Sequence, residues 1–391
     1  MQATSPTARR TDPRHGKPIH TMWLQHLVIT DFKNIAEADM DFCPGVNSLL
    51  GSNGMGKSNL LEAVHFLSFT RPVRSVAESS LIRHGCSGLL VKGVYDTGHA
   101  NSDTVSCGIV AGRGKKLMLN GKEYDRISSH IGRFPIVTVS PDDSDLIRGS
   151  AQERRRLMDM VISQTDTSYL PLLMHYNRAL TSRNSMLRAG VSDTLLYESI
   201  EQAMEDAAVQ IYQRRHDWAE EISASFASHY TAIAADGELA AVGYRSSLTD
   251  ASLRELFDRN RLRDQSLGYT SAGVHRDDLD MTLGENPMRS IGSQGQMKTF
   301  TIALRFAVYD YIRAHTGKTP LLLLDDIFDK LDASRVARIM SLVSDHGRFG
   351  QILVTDTNRK HLDETVASIG GEYRMWQVED GTFTPITDTQ P

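Results

Sequence analysis

Apolar positions recur along this chain with several rhythms, and each rhythm predicts a different kind of element. From Trp23, the positions Leu24, Leu27, Ile29 and Phe32, then Phe42, Val46 and Leu49, predict two or three short strands. A helical pattern follows at Leu60, Leu61, Val64 and Leu67. Leu89 to Tyr95 and Val105 to Val110, then the Gly-rich run 111–116 and the turn Asn120-Gly121, predict an antiparallel hairpin region. Ile136-Val137-Thr138-Val139, rich in β-branched residues, predicts a buried strand. From Gln152 the rhythm becomes helical for a long stretch. Leu196, Ile200, Met204, Ala208 and Ile211, then Trp218, Ile222 and Phe226, keep one apolar face with charge between them. That face predicts core packing, and it lacks the sustained heptads of a long coiled coil. A short strand is expected near Ala240 to Arg245, and alternation of strand and helix is expected to return at Leu267 and hold to the end. The fold class expected is therefore α/β with an inserted, mainly helical second domain. Its spans are a disordered extension over 1–21 with Met22 as an alternative start, an α/β half over 22–150, the helical insertion over 151–265 and a second α/β half over 266–391.

Between the strand ending at Leu50 and the helix opening at Ser58 lies Gly51-Ser52-Asn53-Gly54-Met55-Gly56-Lys57-Ser58, a match to G-x-x-x-x-G-K-[ST]. Such a loop wraps its N–H groups around a polyphosphate, and the helix behind it adds its positive end. Lys57 would neutralise the β- and γ-phosphates, and the Ser58 hydroxyl would join the coordination of a Mg²⁺ ion. An ordinary Gly-rich turn is the plain alternative, and the flanking strand and helix count against it.

Leu321-Leu322-Leu323-Leu324-Asp325-Asp326 is an apolar strand that ends in two acids. Strands of a parallel sheet point their carboxyl ends toward the ligand crevice, so Asp325 would hold Mg²⁺ and Asp326 would orient and deprotonate the attacking water. Alone, such a run is as readily a capped turn. Gly292-Ser293-Gln294-Gly295-Gln296 precedes a helix-forming run and is either an anion site or a simple N-cap.

Charge changes the picture little. The formal net charge is −5, so nucleic-acid binding must come from local patches. Arg154, Arg155, Arg156, Arg178, Arg183, Arg188, Arg214 and Arg215 could track a DNA backbone, although solvated helix faces explain most of them. Lys115, Lys116 and Lys122 are expected at a solvated hairpin tip. Three cysteines without C-x-x-C pairing argue against a zinc site or disulfide framework. No apolar run approaches the roughly 18 residues that cross a bilayer, and residues 1–21 hold no apolar h-region, so neither a membrane partner nor a secretory signal is expected, and the location expected is cytoplasmic. GTP chemistry is disfavoured by the absence of Asn-Lys-x-Asp.

The order of loop, long insertion, Ser-x-Gly-Gln, acid-tipped strand and Leu331-Asp332 is similar to that of the ABC-type ATPases. The chain most resembles the RecF family, bacterial DNA repair and recombination ATPases related to the SMC proteins, from Met22 to the C-terminus. The likeness rests on Phe32-Lys33-Asn34, Gly-Lys-Ser-Asn-Leu-Leu-Glu-Ala at 56–63, Leu-Ile-Arg-His-Gly at 81–85 and Arg154-Arg155-Arg156-Leu157-Met158-Asp159. It continues in Gly273-Val274-His275-Arg276-Asp277-Asp278, Ser293-Gln294-Gly295-Gln296 and Leu324 to Asp332.

The resemblance implies an ABC/SMC-type ATPase head that binds ATP at Gly51 to Ser58, holds Mg²⁺ with Asp325 and Ser58, and uses Asp326 as its catalytic carboxylate. It implies that Ser293, Gly295 and Gln296 contact the γ-phosphate held by a second subunit, with Asp332 at the same seam, so that ATP drives a homodimer. It implies work on single-stranded and gapped or junction DNA with the partners RecO and RecR to help load the RecA recombinase, and it makes Arg71 and Arg74 weak candidates for phosphate or DNA contact. Two departures stand out. Thr355 or Asp356 falls where transporter ATPases carry a switch histidine, and Asp326 replaces the usual glutamate, from which slow turnover is expected. The rival readings are a DNA clamp that binds ATP without hydrolysing it and a transporter's nucleotide-binding subunit, the latter disfavoured by the long insertion.

Overall fold

A computed structural model describes residues 21–73, 76–98, 101–234, 237–329, 331–344, 348–359 and 372–386. Nearly all of the extension expected over 1–21, as well as Arg74, lies outside them. The chain divides into two compact units, one formed by 1–142 with 308–391 and the other by Asp143–Ala307.

The strands of the first unit are β1 (Trp23–Phe32), β2 (Ile35–Asp41), β3 (Val46–Leu50), β4 (Gly88–Asp96), β5 (Asp103–Val110), β6 (Gly114–Leu119), β7 (Lys122–Glu123) and β8 (Ile136–Val139). The second unit supplies β9 (Ala240–Arg245), β10 (Asp278–Leu283) and β11 (Asn286–Pro287). The first unit resumes with β12 (Leu321–Asp325), β13 (Ile352–Asp356), β14 (Tyr373–Glu379) and β15 (Thr382–Pro385). Among the described residues they form three sheets, ordered β2-β1-β4-β5-β6-β7, β11-β10-β9 and β15-β14-β3-β13-β12-β8.

In the last of these sheets β3 pairs parallel with β13 and β14, and β12 pairs parallel with β13 and β8. Burial explains the sequence of these strands. Val46 to Leu50 and Ile352 to Asp356 are buried at every position, as parallel strands covered on both faces are. The antiparallel sheet instead alternates, with Leu89, Val91 and Tyr95 of β4 turned inward while Leu90 and Lys92 face out. Between the two sheets lies the helix Lys57–Phe69, which touches strands of both. Leu60, Leu61, Val64, Phe66 and Leu67 are all buried, so both flanks of this helix are covered. The expected hairpin region is present as β4 to β7. Lys116 and Lys122 are exposed as expected, Lys116 pairing with Glu123, while Lys115 is largely covered and tied to Glu78.

The second unit contains the helices Ala151–Thr165, Tyr169–Ala189, Thr194–Ala234 and Leu253–Leu267. The expected apolar stripe is buried from Met204 through Ala208, Ile211, Trp218 and Ile222 to Phe226. Its first member departs. Leu196 is exposed, and Tyr197 packs in its place with Met186, Leu187 and the partly buried Ile200. The boundary expected at 265 also shifts, to Ala307. β10 pairs with β9 across Asp278↔Arg245 to Leu283↔Ala240, and this ladder holds residues beyond 265 to the helical segment. A strand makes few local contacts, so its partner, not its own pattern, decides where it belongs.

Several of the arginines singled out in this unit are tied to acids or carbonyls instead of lying on solvated helix faces. Arg154 pairs with Asp278, Arg183 with Glu201 and Asp264, and Arg215 with Asp159 and Asp277. All three are buried. Arg214 pairs with Asp166, and Arg155 donates to the Asp277 carbonyl. Arg156 is half-buried, and Arg178 and Arg188 are exposed as expected of a solvated helix face. His275, inside the same motif, is a core histidine. Burial pushes its pKa down to about 4, and its ring nitrogens meet the Tyr176 hydroxyl at 2.8 Å and the Thr270 carbonyl at 3.0 Å. Among the described residues no helix is long and apolar enough to cross a membrane.

Candidate functional site

The carboxyl ends of β3, β13 and β12 lie side by side, in register through Leu50↔Asp356 and Thr355↔Asp325. The residues just past each strand therefore meet in one place. After β3 comes the loop 51–56, closed by Gly56 at φ 113, a conformation that suits glycine. A side chain there would also collide with the Asn34 amide, whose oxygen lies 3.0 Å from where a Cβ would sit. Lys57 opens the helix and is buried, its Nζ donating to the carbonyls of Gly51 at 2.5 Å and Ser52 at 2.9 Å. Burial lowers its pKa, against the pull of the Asp326, Asp325 and Asp356 charges.

Ser58 Oγ donates to Asp325 Oδ1 at 2.9 Å, and Thr355 Oγ1 donates to the same oxygen at 2.7 Å. Thr355 Oγ1 in turn accepts the Asp326 N–H at 3.0 Å. One buried hydroxyl therefore fixes both acids. Burial raises the pKa of Asp325, the two hydroxyl hydrogen bonds oppose it, and the neighbouring Asp326 adds to the rise. A cation beside Asp325 would reverse that balance. A serine hydroxyl and one carboxylate are hard oxygen donors, the kind of sparse set used by an ion that brings its own waters and phosphate oxygens. Among the described residues no cluster of three or more His, Cys, Asp or Glu forms a rival metal site.

Asp326 adopts φ 47, a left-handed turn that swings the chain away just past the strand. Thr355 is wholly buried with its hydroxyl engaged on both sides, the geometry of a residue that positions the acids. Asp356 is also buried, its Oδ1 accepting the Asn358 N–H at 2.9 Å, and its carbonyl accepts the Gly51 N–H at 3.4 Å.

The other motif residues fall elsewhere in the chain's division. Ser293, Gly295 and Gln296 belong to the second unit, at the start of the helix Gln294–Thr316. Gln296 N–H donates to Ser293 Oγ at 3.2 Å, and Ser293 N–H donates to Gln296 Oε1 at 2.8 Å. This is a reciprocal capping box, so the N-cap reading is correct locally. It leaves the serine hydroxyl proton free to donate to an anion, and the two readings do not compete. Asp332, in the first unit, caps the helix Ala333–Val343 by accepting the Arg335 N–H at 2.9 Å. A hydrogen bond from Ser334 and the one from Arg335 hold its pKa down. Arg71 is exposed.

Residues 23–131 match the family model for the RecF/RecN/SMC N terminal domain. The DNA replication and repair protein RecF of Porphyromonas gingivalis is 46% identical over 361 residues, covering 92% of this chain and 99% of that relative. The chain belongs to the RecF family. The protein of the same description from Bacteroides fragilis is 41% identical over 370 residues, covering 94% of this chain and all of that one. A solved structure of the recombination mediator protein RecF-ATPrS in the RecFOR pathway superposes with a TM-score of 0.83 at 25% identity, covering 94% of this chain and 99% of that one. At the level of fold alone, the Smc head domain of Pyrococcus furiosus, bound to the C-terminal domain of ScpA, gives a TM-score of 0.57 at 18% identity and covers 93% of this chain. The α/β ATPase head with an inserted second domain is thus the RecF fold, and the transporter-subunit alternative falls.

For this RecF-family chain, two supports of the phosphate loop had no signal beyond the family likeness. Asn34 accepts from Asn59 Nδ2 at 2.7 Å and donates to the Gly54 carbonyl at 3.4 Å, while Lys33 pairs with Glu62 on the loop helix. The turn at Asp380-Gly381, between β14 and β15, donates its Gly381 N–H to the Met55 carbonyl at 2.8 Å. Gly381 sits at φ 77, and a Cβ there would lie 2.5 Å from the Asn34 carbonyl oxygen. Replacing Gly381 with Ala is therefore expected to displace this turn and loosen the loop tip, weakening nucleotide binding about fivefold to tenfold while the chain still folds. Equilibrium titration with a fluorescent ATP analogue measures it, and unchanged affinity would show that the turn does not support the loop.

Proposed function

We propose that this chain is an ATP-dependent DNA-binding protein of replication and recombinational repair, in which ATP joins two copies and slow hydrolysis releases them. The observation that carries the reading is the meeting of Lys57, Ser58, Asp325 and Asp326 at the ends of three parallel strands. Lys57 and the loop N–H groups hold the β- and γ-phosphates, and Ser58 with Asp325 holds Mg²⁺, which supplies charge neutralisation to the phosphates. Asp326, its backbone fixed through Thr355, orients the attacking water and takes its proton. Ser293, Gly295 and Gln296 of the second copy donate to the γ-phosphate, with Asp332 at the same seam. The nucleotide completes its set of contacts only when two chains close, so ATP acts through a state that ADP cannot hold. Turnover is slow because the acid is an aspartate, one methylene shorter than glutamate.

The partners belong to the same proposal: single-stranded and gapped or junction duplex DNA, with RecR and RecO, in the cytoplasm where the chromosome lies. Arg71 is a weak candidate for a phosphate contact, and the buried arginines of the second unit are not candidates.

Size-exclusion chromatography with light scattering tests the core of the reading. ATP with Mg²⁺ is expected to convert monomer to dimer, and gapped duplex is expected to shift the conversion to lower protein concentration. Persistent monomer under saturating ATP and DNA would overturn it.

A further inference from the structure

The Ser293-Gln296 turn is held by more than its own capping box. Gln296 Nε2 donates to Glu238 Oε1 at 2.5 Å, and Tyr230 OH donates to Glu238 Oε2 at 3.0 Å. Glu238 lies in the connection between the long helix Thr194–Ala234 and β9, far from Gln296 in sequence and within the same compact unit. Tyr230 is buried on the inner face of that long helix, its ring near those of Phe226 and Phe300. The anchor of Glu238 is therefore a core residue.

We propose that Glu238 is a positioning residue for the ATP contacts made by this turn. The inference rests on the reading that Ser293 and Gln296 complete the nucleotide site of a second copy. An amide side chain has one accepting and one donating end. Here the accepting end of Gln296 takes the Ser293 N–H and the donating end faces a carboxylate, so a flip of the amide would set oxygen against oxygen and N–H against N–H. One orientation survives. With the Gln296 N–H placed on Ser293 Oγ, the serine proton is directed away from the helix, and the N–H groups of Gln294 and Gly295 are left to the phosphate. Glu238 thus sets these donors before the anion arrives, and donors already in place need no reorganisation as the two chains close.

The same carboxylate would repel an incoming phosphate if it were bare. Two donors already satisfy it, Tyr230 on one oxygen and Gln296 on the other. A glutamine at 238 could make the same two hydrogen bonds, its oxygen accepting from Gln296 and its amide donating to the Tyr230 hydroxyl. Geometry and charge can therefore be separated by experiment.

Five variants of the chain decide the matter, each followed by ATP-dependent dimerisation in light scattering, by ATP affinity of the monomer and by hydrolysis as a function of protein concentration. Glu238→Ala is expected to weaken ATP-driven dimerisation about tenfold, the equivalent of freeing one long side chain. ATP affinity of the monomer stays unchanged, and hydrolysis per chain recovers at high protein concentration. Glu238→Gln is expected to stay within about twofold of the parent on all three measures. Gln296→Met, which removes the tie together with the side chain's own contacts, is expected to be at least as damaging as Glu238→Ala, and the double variant to be no worse than Gln296→Met alone. Ser293→Ala is the reference for the underlying reading.

If Ser293→Ala loses the dimer while Glu238→Ala keeps it, the positioning role is overturned and the shared-site reading stands. If both keep the dimer, the shared-site reading itself is wrong. Should Glu238→Ala not fold, Glu238→Met takes its place, filling the same space without the accepting oxygens, and parental dimerisation in it rejects the role.

Discussion

Substitution of Asp326 by Asn is expected to lower steady-state ATP hydrolysis about a hundredfold to a thousandfold and to leave an ATP-held dimer that no longer dissociates. Asparagine keeps the volume of the side chain and, like aspartate, tolerates the left-handed φ of 47 at this position, so the turn after β12 survives. What is lost is the carboxylate's ability to accept a proton from water. Asp325 stays in place because its ties run through Ser58 and Thr355. Nucleotide and Mg²⁺ binding should therefore change little. Asp325→Asn makes the contrast: it removes the charge that meets the metal, so ATP binding itself should weaken. Phosphate release assays and light scattering on the same samples separate the two. If Asp326→Asn hydrolyses ATP at the parental rate, Asp326 is not the base; if the parent does not hydrolyse ATP, the clamp that binds without turnover replaces the present mechanism.

Removal of Arg215 should be the most damaging single change to the second unit, at about 3–5 kcal/mol of stability. Its guanidinium donates to Asp277 Oδ2 at 2.7 Å, Asp159 Oδ1 at 2.9 Å, the Tyr169 hydroxyl at 3.0 Å and the Val274 carbonyl at 2.7 Å. Burial works against its charge, yet the surrounding acids hold its pKa above the ordinary value. Asp277 shows the cost from the other side: burial raises its pKa although Arg215 opposes the rise. Arg215→Met fills much of the space but strands that carboxylate with the Tyr244 hydroxyl at 2.5 Å beside it. Adding Asp277→Asn should recover part of the loss, so the double variant unfolds at higher denaturant than Arg215→Met alone. Additive losses in urea unfolding would mean that the two residues act independently of each other.

The same two sites show what was legible in the residues alone. The phosphate loop, the acid-tipped strand and Ser293-Gln294-Gly295-Gln296 are short and contiguous, and their spacing with the flanking periodicity is enough to place them on strand, loop and helix. The parallel strand Leu321–Asp325 announces itself as an apolar run, whereas Val46–Leu50 buries Asn47 and Ser48 within it. Thr355 illustrates the other case. Its candidacy comes from the likeness to transporter ATPases, but its part in holding Asp325 and Asp326 depends on the pairing of β12 with β13, which no local pattern encodes. Arg154, Arg183 and Arg215 look like helix-surface charge because an arginine at helical spacing has the same appearance whether it faces solvent or an acid on another element. Leu267 reads as a return to the α/β half because a strand's sheet is not written in its own residues; β9 claims β10.

By itself, the sequence determined most of the elements, the ATPase family and which residues are candidates to meet phosphate, because backbone conformation and phosphate-binding motifs are set within a few neighbouring positions. Only the tertiary structure decided which carboxylate answers which cation, where the second unit ends and that Glu238 holds Gln296. Those outcomes depend on contacts between residues far apart in the chain, and their free energy comes from burial and pairing that exist only once the elements have packed.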